Sequence, residues 1–197
     1  MVRMSSRGFA ALALISCFSF LGGCRNLSAP AASPGAFKPL TEKENVISNL
    51  MMSYDRADIA SYGELLHPDY TFYLQARDVA SGQDEFWGRD QDLRVTRNMF
   101  LAAKGQYAAD PAKNLDKLTL ELGSGSWSPV DSVDGSSCAD CWMTTRDYRL
   151  SLMFADHESG IVSNDLAQII VVPVDEGGRK LYKIWRLTDV HGAGKAR

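Results

Sequence analysis

The sequence predicts an α+β domain in which three helices pack on one face of a curved antiparallel sheet. Three observations predict it. Helical periodicity is confined to the front half of the chain, and four long strand-like stretches fill the back half. The joints between the later stretches look like hairpins: "ADHESGIVSN" and "DEGGRK", the second with Gly177-Gly178 at its turn. A block of helices followed by a block of strands belongs to this layered class.

The elements follow in order. Thr41-x-x-Glu44 reads as a capping box, and Val46, Leu50, Met51 and Tyr54 then recur at helical spacing. Asp58 is the expected N-cap of a second helix that carries Ile59, Tyr62, Leu65 and Leu66 and stops at Pro68. "DYTFYLQ" is aromatic and β-branched, as a strand is, and "QDEFWGRD" is a short extended piece. A third helix runs from Arg89 to Lys104, with Leu93, Met99, Phe100 and Leu101 as its apolar contacts. "KLTLELGSGSW" puts Leu118, Leu120 and Leu122 on one face, with a bend or bulge at "GSGS". "CWMTTRDYRLSLMF" puts Trp142, Thr144, Arg146, Tyr148 and Leu150 on one face. "DLAQIIVVPV" is apolar on both faces, and "KLYKIWRLTDV" closes the sheet.

The N-terminus sets the compartment. Arg3 and Arg7 precede an apolar run from about Phe9 to Leu21, too short for a comfortable membrane span. It ends in Leu21-Gly22-Gly23-Cys24, which resembles the lipobox of bacterial lipoproteins. That resemblance implies a signal peptide over residues 1–23, cleavage before Cys24, and fatty acyl chains, palmitate among them, on Cys24. Several acyl chains anchor a protein stably where one is marginal. Arg25 rather than Asp follows, which by the enterobacterial sorting rule implies the outer membrane, facing the periplasm. Residues 24–40, rich in Pro, Ala, Ser and Gly, read as the lipidated Cys and a tether, residues 41–192 as the domain, and 193–197 as a disordered tail.

The chain has 197 residues and a net charge of −3; losing Arg3 and Arg7 with the signal lowers that by two, to −5. No Lys/Arg block occurs, which argues against nucleic acid and anionic lipid as partners.

"ENVISNLMMSYDRADIASYGELLHPDYTFYL" at the front and "YKIWRLTDV" at the back resemble the nuclear transport factor 2-like, or SnoaL-like, superfamily over about Thr41 to Val190. The resemblance implies a cone-shaped sheet with the helices on its concave face. It implies little about activity, because enzymes and non-catalytic binding modules share the scaffold. Aligning the turn of ketosteroid isomerase on Asp58 puts Leu50 at its Tyr and Leu74 at its Asp base. Both are aliphatic, so the chain departs from that catalytic set. A slip of one residue brings in Tyr73, a poor base near neutral pH. No catalytic residue is assigned.

His67, His157 and His191 lie far apart, with no second ligand at metal-binding spacing, so no metal or other cofactor is expected. Arg146 and Tyr148 share the apolar face of their strand. A buried Arg needs a partner, so Arg146 either pairs with a protein carboxylate or emerges at the mouth of the cone. Alternatively Arg146, Tyr148 and Gln168 line a pocket and orient a polar ligand, with Trp185 in its wall or simply in the core.

Cys17 leaves with the signal and Cys24 is acylated, so Cys138 and Cys141 remain. Zinc would need two more ligands, and haem attachment would need His where Trp142 stands. In an oxidising envelope the plain outcome is a local disulfide, with redox activity as the alternative. The strand apolar on both faces suggests a homodimer through the outer sheet face. The leading expectation is an envelope lipoprotein whose cone binds a small ligand or a protein partner without chemistry. The alternatives are a SnoaL-like enzyme acting on a small hydrophobic carbonyl compound, or a structural subunit of an envelope assembly.

Overall fold

The computed structural model describes residues 35–74, 85–109, 113–133, 135–154 and 160–190. The signal peptide, Cys24, the tether up to residue 34 and the tail lie outside the described residues, as do His157 and His191. The elements are α1 (Lys43–Asp55), α2 (Ile59–Leu65), β1 (Leu66–Tyr73), β2 (Phe86–Gly88), α3 (Arg89–Ala103), β3 (Leu115–Leu122), β4 (Ser128–Val133), β5 (Ser136–Phe154), β6 (Gly160–Glu176) and β7 (Arg179–Val190). This is the predicted order with one strand added. β4 occupies the segment after "GSGS" and pairs with the front of β5.

The sheet runs β2-β1-β7-β6-β5-β3, with β4 paired to β5 off that path. Every joint is antiparallel except β1 with β7, which is parallel. Strands far apart in sequence are not bound to the hairpin direction, and β1 is followed by β2, α3 and four further strands before β7 returns beside it. Register slips in the β1–β7, β3–β5, β4–β5 and β6–β7 pairs mark bulges, which bend and twist a strand and so curve the sheet. The β6–β7 turn carries Gly177 and Gly178 at φ +62° and +75°, the left-handed pair that a tight hairpin requires.

The main core lies between the helices and the inner face of the sheet. Val46, Ile47 and Leu50 of α1 meet Leu118 of β3, Ile169 and Val171 of β6 and Ile184 of β7, all buried. Burial of each such side chain contributes about 1.5–3 kcal/mol against the cost of ordering it. On the outer face, Ile170 and Val172 are also buried within the single chain. They pack with Val133 and Cys141, and against Met143 and Trp185. Leu166, the third apolar residue on that face of β6, is only half-buried.

Two local expectations are corrected. The Thr41–Glu44 capping box does not form: Glu42 is the N-cap of α1 and makes no side-chain cap bond, because the Glu44 carboxylate is engaged by Arg146. The domain also starts earlier than residue 41. Asn49, buried on α1, accepts from the Lys38 amide at 2.9 Å and donates to the Lys38 carbonyl at 2.7 Å. Arg56 reaches the Gly35 carbonyl, and the Tyr182 amide of β7 donates to the Leu40 carbonyl at 2.7 Å. Residues 35–40 are thus docked on the domain. Asp58 caps α2 as expected, accepting from the amides of Ala60 and Ser61.

Candidate functional site

Between the helices and the inner sheet face lies a cavity of ≈ 240 Å³. Its walls are mostly apolar: Leu50 from α1, Phe72 from β1, Val95 and Met99 from α3, and Leu120, Leu150 and Leu187 from the sheet. Phe72 and Trp87 stack across the β1–β2 pair, with ring centroids 5.1 Å apart and planes 17° from parallel. Ala167 gives the cavity its room on β6, because it is the small residue among the inner-facing positions of that strand.

Oxygen is concentrated at the deep end. Asp92 sits on the first turn of α3, only 5 % exposed. The Tyr62 hydroxyl of α2 donates to its Oδ2 at 2.6 Å, and Trp87 Nε1 donates to its Oδ1 at 3.2 Å. Tyr70 of β1, 2 % exposed, brings a third group toward the same carboxyl, yet its Oη closes no hydrogen bond with any described residue. Tyr54 completes the group, with its ring edge-on to Tyr62 and Phe100. Burial raises the Asp92 pKa above the ordinary carboxylate value, against the lowering pull of the hydrogen bonds it accepts. Burial likewise raises the phenols of Tyr54, Tyr62 and Tyr70, so all three are neutral donors near neutral pH. A carboxyl whose pKa burial raises, in an apolar cavity and ringed by phenols, can exchange a proton with a bound molecule or hold that molecule's oxygen.

The predicted pocket residues separate. Tyr148 lines the cavity near its outer end, where its hydroxyl lies 3.0 Å from Ser163 Oγ and donates to Asp189 Oδ1 at 3.1 Å. Burial first, and then the nearby carboxylates, pushes this phenol up to about 12. Arg146 is buried but stands away from the cavity lining. It pairs with a carboxylate, the first of the readings open to it. Its guanidinium donates to both oxygens of Glu44 at 3.0 and 2.7 Å, and to the carbonyls of Gly123 and Gly125 at 3.1 and 3.2 Å. Arg146 also holds the Glu44 carboxyl below its ordinary pKa. Gly125 is required there, since a Cβ would fall 2.7 Å from Thr144 Oγ1 and 2.8 Å from the Thr145 carbonyl. Gln168 lies between the inward-facing Ala167 and Ile169, and so turns to the outer face by strand alternation. Trp185 is on that outer face too, packed on the Ile170 and Val172 cluster. Four residues expected in one pocket are therefore one cavity residue, one buried ion-pair residue and two outer-face residues.

Cys138 and Cys141 are joined at the front of β5, with Cα atoms 5.6 Å apart, within the ordinary range of disulfides. Asp140 between them takes a left-handed φ of +60° and pairs with Lys180 of β7 at 2.9 Å. Among the described residues no group of three His, Cys, Asp or Glu side chains converges as a metal site. His67 accepts a hydrogen bond from the Asp69 amide on β1.

Sequence reasoning missed Asp92, Tyr70 and the role of Tyr62. A signal for Asp92 was present: Asp92, Thr96 and Phe100 recur every four residues and are all buried. A carboxylate on the buried stripe of a helix calls for a partner or a function.

No family model and no curated protein matches the sequence. Solved structures do match the fold. A candidate scytalone dehydratase from Novosphingobium aromaticivorans aligns with a TM-score of 0.53 at 11% identity, covering 78% of this chain and 92% of that one. A candidate aromatic ring hydroxylase from the same organism aligns at 0.52 and 13% identity, covering 74% and 82%. A type 2 hexachlorocyclohexane dehydrochlorinase aligns at 0.50 and 10% identity, covering 78% and 92%. The fold is the nuclear transport factor 2-like cone. At these identities the likeness is one of fold alone.

Proposed function

We propose that the domain binds a small, largely apolar molecule bearing a carbonyl or hydroxyl oxygen, and that this oxygen lies at Tyr70 and Asp92. The observation that carries this reading is the apolar cavity lined by Tyr62, Tyr70 and Asp92, in which the buried Tyr70 hydroxyl stands beside the Asp92 carboxyl without closing a hydrogen bond of ordinary geometry to a described residue. A buried donor left unmade costs roughly 1–3 kcal/mol, which a ligand oxygen would recover. The volume suits a ligand below drug size, since pockets for drug-sized ligands span roughly 300–1,000 Å³. Native mass spectrometry of the full chain, purified gently from bacterial envelopes, is the test. The expected result is a reproducible extra mass that leaves on denaturation and falls at least tenfold in occupancy in Ala167→Leu, which fills the cavity. Absence of any extra mass in the unmodified protein would overturn the reading.

A second reading adds chemistry to that binding, because the Asp92 carboxyl lines the cavity and burial raises its pKa. The solved structures of this fold include a protein named as a dehydrochlorinase and one named as a candidate dehydratase, so the scaffold admits acid–base work. Faster exchange of the α-protons of acetophenone in heavy water, lost in Asp92→Asn, would place the domain with enzymes. No acceleration would leave it a binding module.

The anchoring is proposed on the N-terminal sequence: Arg3, Arg7, the apolar run and Leu21-Gly22-Gly23-Cys24 stand in lipoprotein order. On that reading the domain is held at the bacterial envelope, at the outer membrane and facing the periplasm. Cys24→Ser is expected to move the protein from the membrane fraction to the soluble fraction.

A further inference from the structure

We infer that the cavity has a second polar pole, formed by Tyr148 and Asp189, and that its ligand is a neutral molecule with an oxygen function at each end of an apolar middle. The inference rests on the binding reading above and names the ligand class of that same site. Two clusters of oxygen face the cavity, and they lie on different elements. The deep one joins Tyr62 of α2, Tyr70 of β1 and Asp92 of α3, each 5 % exposed or less. The other joins Tyr148 of β5 and Asp189 of β7, both only partly buried.

The sheet keeps the two apart. Thr71, next to Tyr70, is level with Arg186 in the parallel β1–β7 pair, so Asp189 lies three residues beyond the level of Thr71. Three residues of strand amount to roughly 10 Å along the sheet, and one strand spacing across it adds about 4.8 Å. Tyr148 stands farther still, because β7 and β6 lie between β1 and β5. Apolar side chains separate the clusters, among them Phe72, Leu120, Leu150 and Leu187. The Tyr148 proton goes to Asp189, so the outer pole meets a ligand with acceptors, the lone pairs of the Tyr148 hydroxyl and the Asp189 carboxylate. It therefore suits a hydroxyl, which donates to them, and disfavours a ligand carboxylate, which would meet like charge.

The test uses the full chain and two matched pairs of probes: acetophenone with 4′-hydroxyacetophenone, and 4-phenylbutan-2-one with 4-(4-hydroxyphenyl)butan-2-one. Each pair differs only by a far hydroxyl, and the two pairs differ in the spacing between oxygens. Titration calorimetry is expected to show the hydroxylated member of at least one pair binding about fivefold tighter or more, as one net hydrogen bond allows. Tyr148→Phe and Asp189→Asn should each remove that advantage while leaving the affinity for the parent ketone within twofold. Equal affinities within both pairs would overturn the second pole and leave the binding reading standing, as would an advantage that survives both substitutions. Failure of all four probes to bind would overturn the binding reading, and this inference with it.

Discussion

Asp92 carries the largest electrostatic liability of the described chain: a carboxyl 5 % exposed with no basic side chain against it. Hydrogen bonds from Tyr62 and Trp87 offset part of the desolvation cost, and the rest shows as a raised pKa. The folded chain therefore holds this proton more tightly than the unfolded chain does. The stability linked to it is complete below the unfolded pKa of about 3.9, and is lost as pH rises through the folded pKa. Asn at this position cannot ionise. Urea denaturation should accordingly show the stability of the natural protein, relative to Asp92→Asn, falling as pH rises above about 4 and levelling off once the raised folded pKa is passed. Parallel curves for the two proteins would mean that Asp92 is not held in the way described. Arg146 shows the opposite solution to the same problem. Its charge is buried but fully satisfied by Glu44 and two glycine carbonyls, so it works as a clasp between α1 and the segment after β3.

Among the elements, the front of β5 is where the sequence reading changed most. The "DSVDGSS" segment divides between two strands: its front half belongs to β4, and its last residues open β5. The Cys138–Cys141 bridge thus sits inside a strand, across two intervening residues, one with positive φ. A closed loop so short restrains little of the unfolded chain, so the bridge contributes roughly 2 kcal/mol or less. Replacing both cysteines with serine is expected to lower stability by that amount while leaving the far-ultraviolet circular dichroism unchanged. Loss of folding would show that the bridge holds the β4–β5 hairpin together. Helix boundaries were more legible. The Asp58 cap and the start of α3 at Arg89 depend on neighbours within a turn or two, and both stand where local chemistry puts them; α2 instead ends at Leu65, and Leu66 and Pro68 already belong to β1. The capping box at Thr41 was equally local, and it failed because Arg146, 102 residues away in sequence, takes the Glu44 carboxylate.

At the scale of the whole molecule, the docked segment 35–40 carries a prediction of its own. Asn49 is 3 % exposed and spends its side-chain amide on the backbone of Lys38. A chain beginning at Thr41 leaves those groups unmade, at a cost of about 1–3 kcal/mol. Denaturant titration of chains starting at Gly35 and at Thr41 should separate them by that amount. Equal midpoints would mean that the segment only lies on the surface. The outer face of β6 bears on the expected homodimer. Ile170 and Val172 are already covered within one chain by the β4–β5 hairpin and Trp185. Packing within one chain thus accounts for those two residues, while Leu166 on the same face stays half-buried.

By itself the sequence determined the element order apart from β4, the α+β class and the inward stripes of β3 and β5. Periodicity, caps and turn residues act over a few positions, and a single chain displays them in full. Only the tertiary structure decided which side chains meet. Tyr62, Tyr70 and Asp92 come from three elements, and 30 residues separate the first from the last. Tyr148 and Gln168 have similar polarity and adjacent strands, yet face opposite sides of the sheet. Strand register sets which face a residue takes, and register is a property of the pairing between strands. The cavity follows from the same cause. It is the space left where a curved sheet and three helices do not fully close, and no local pattern records that space.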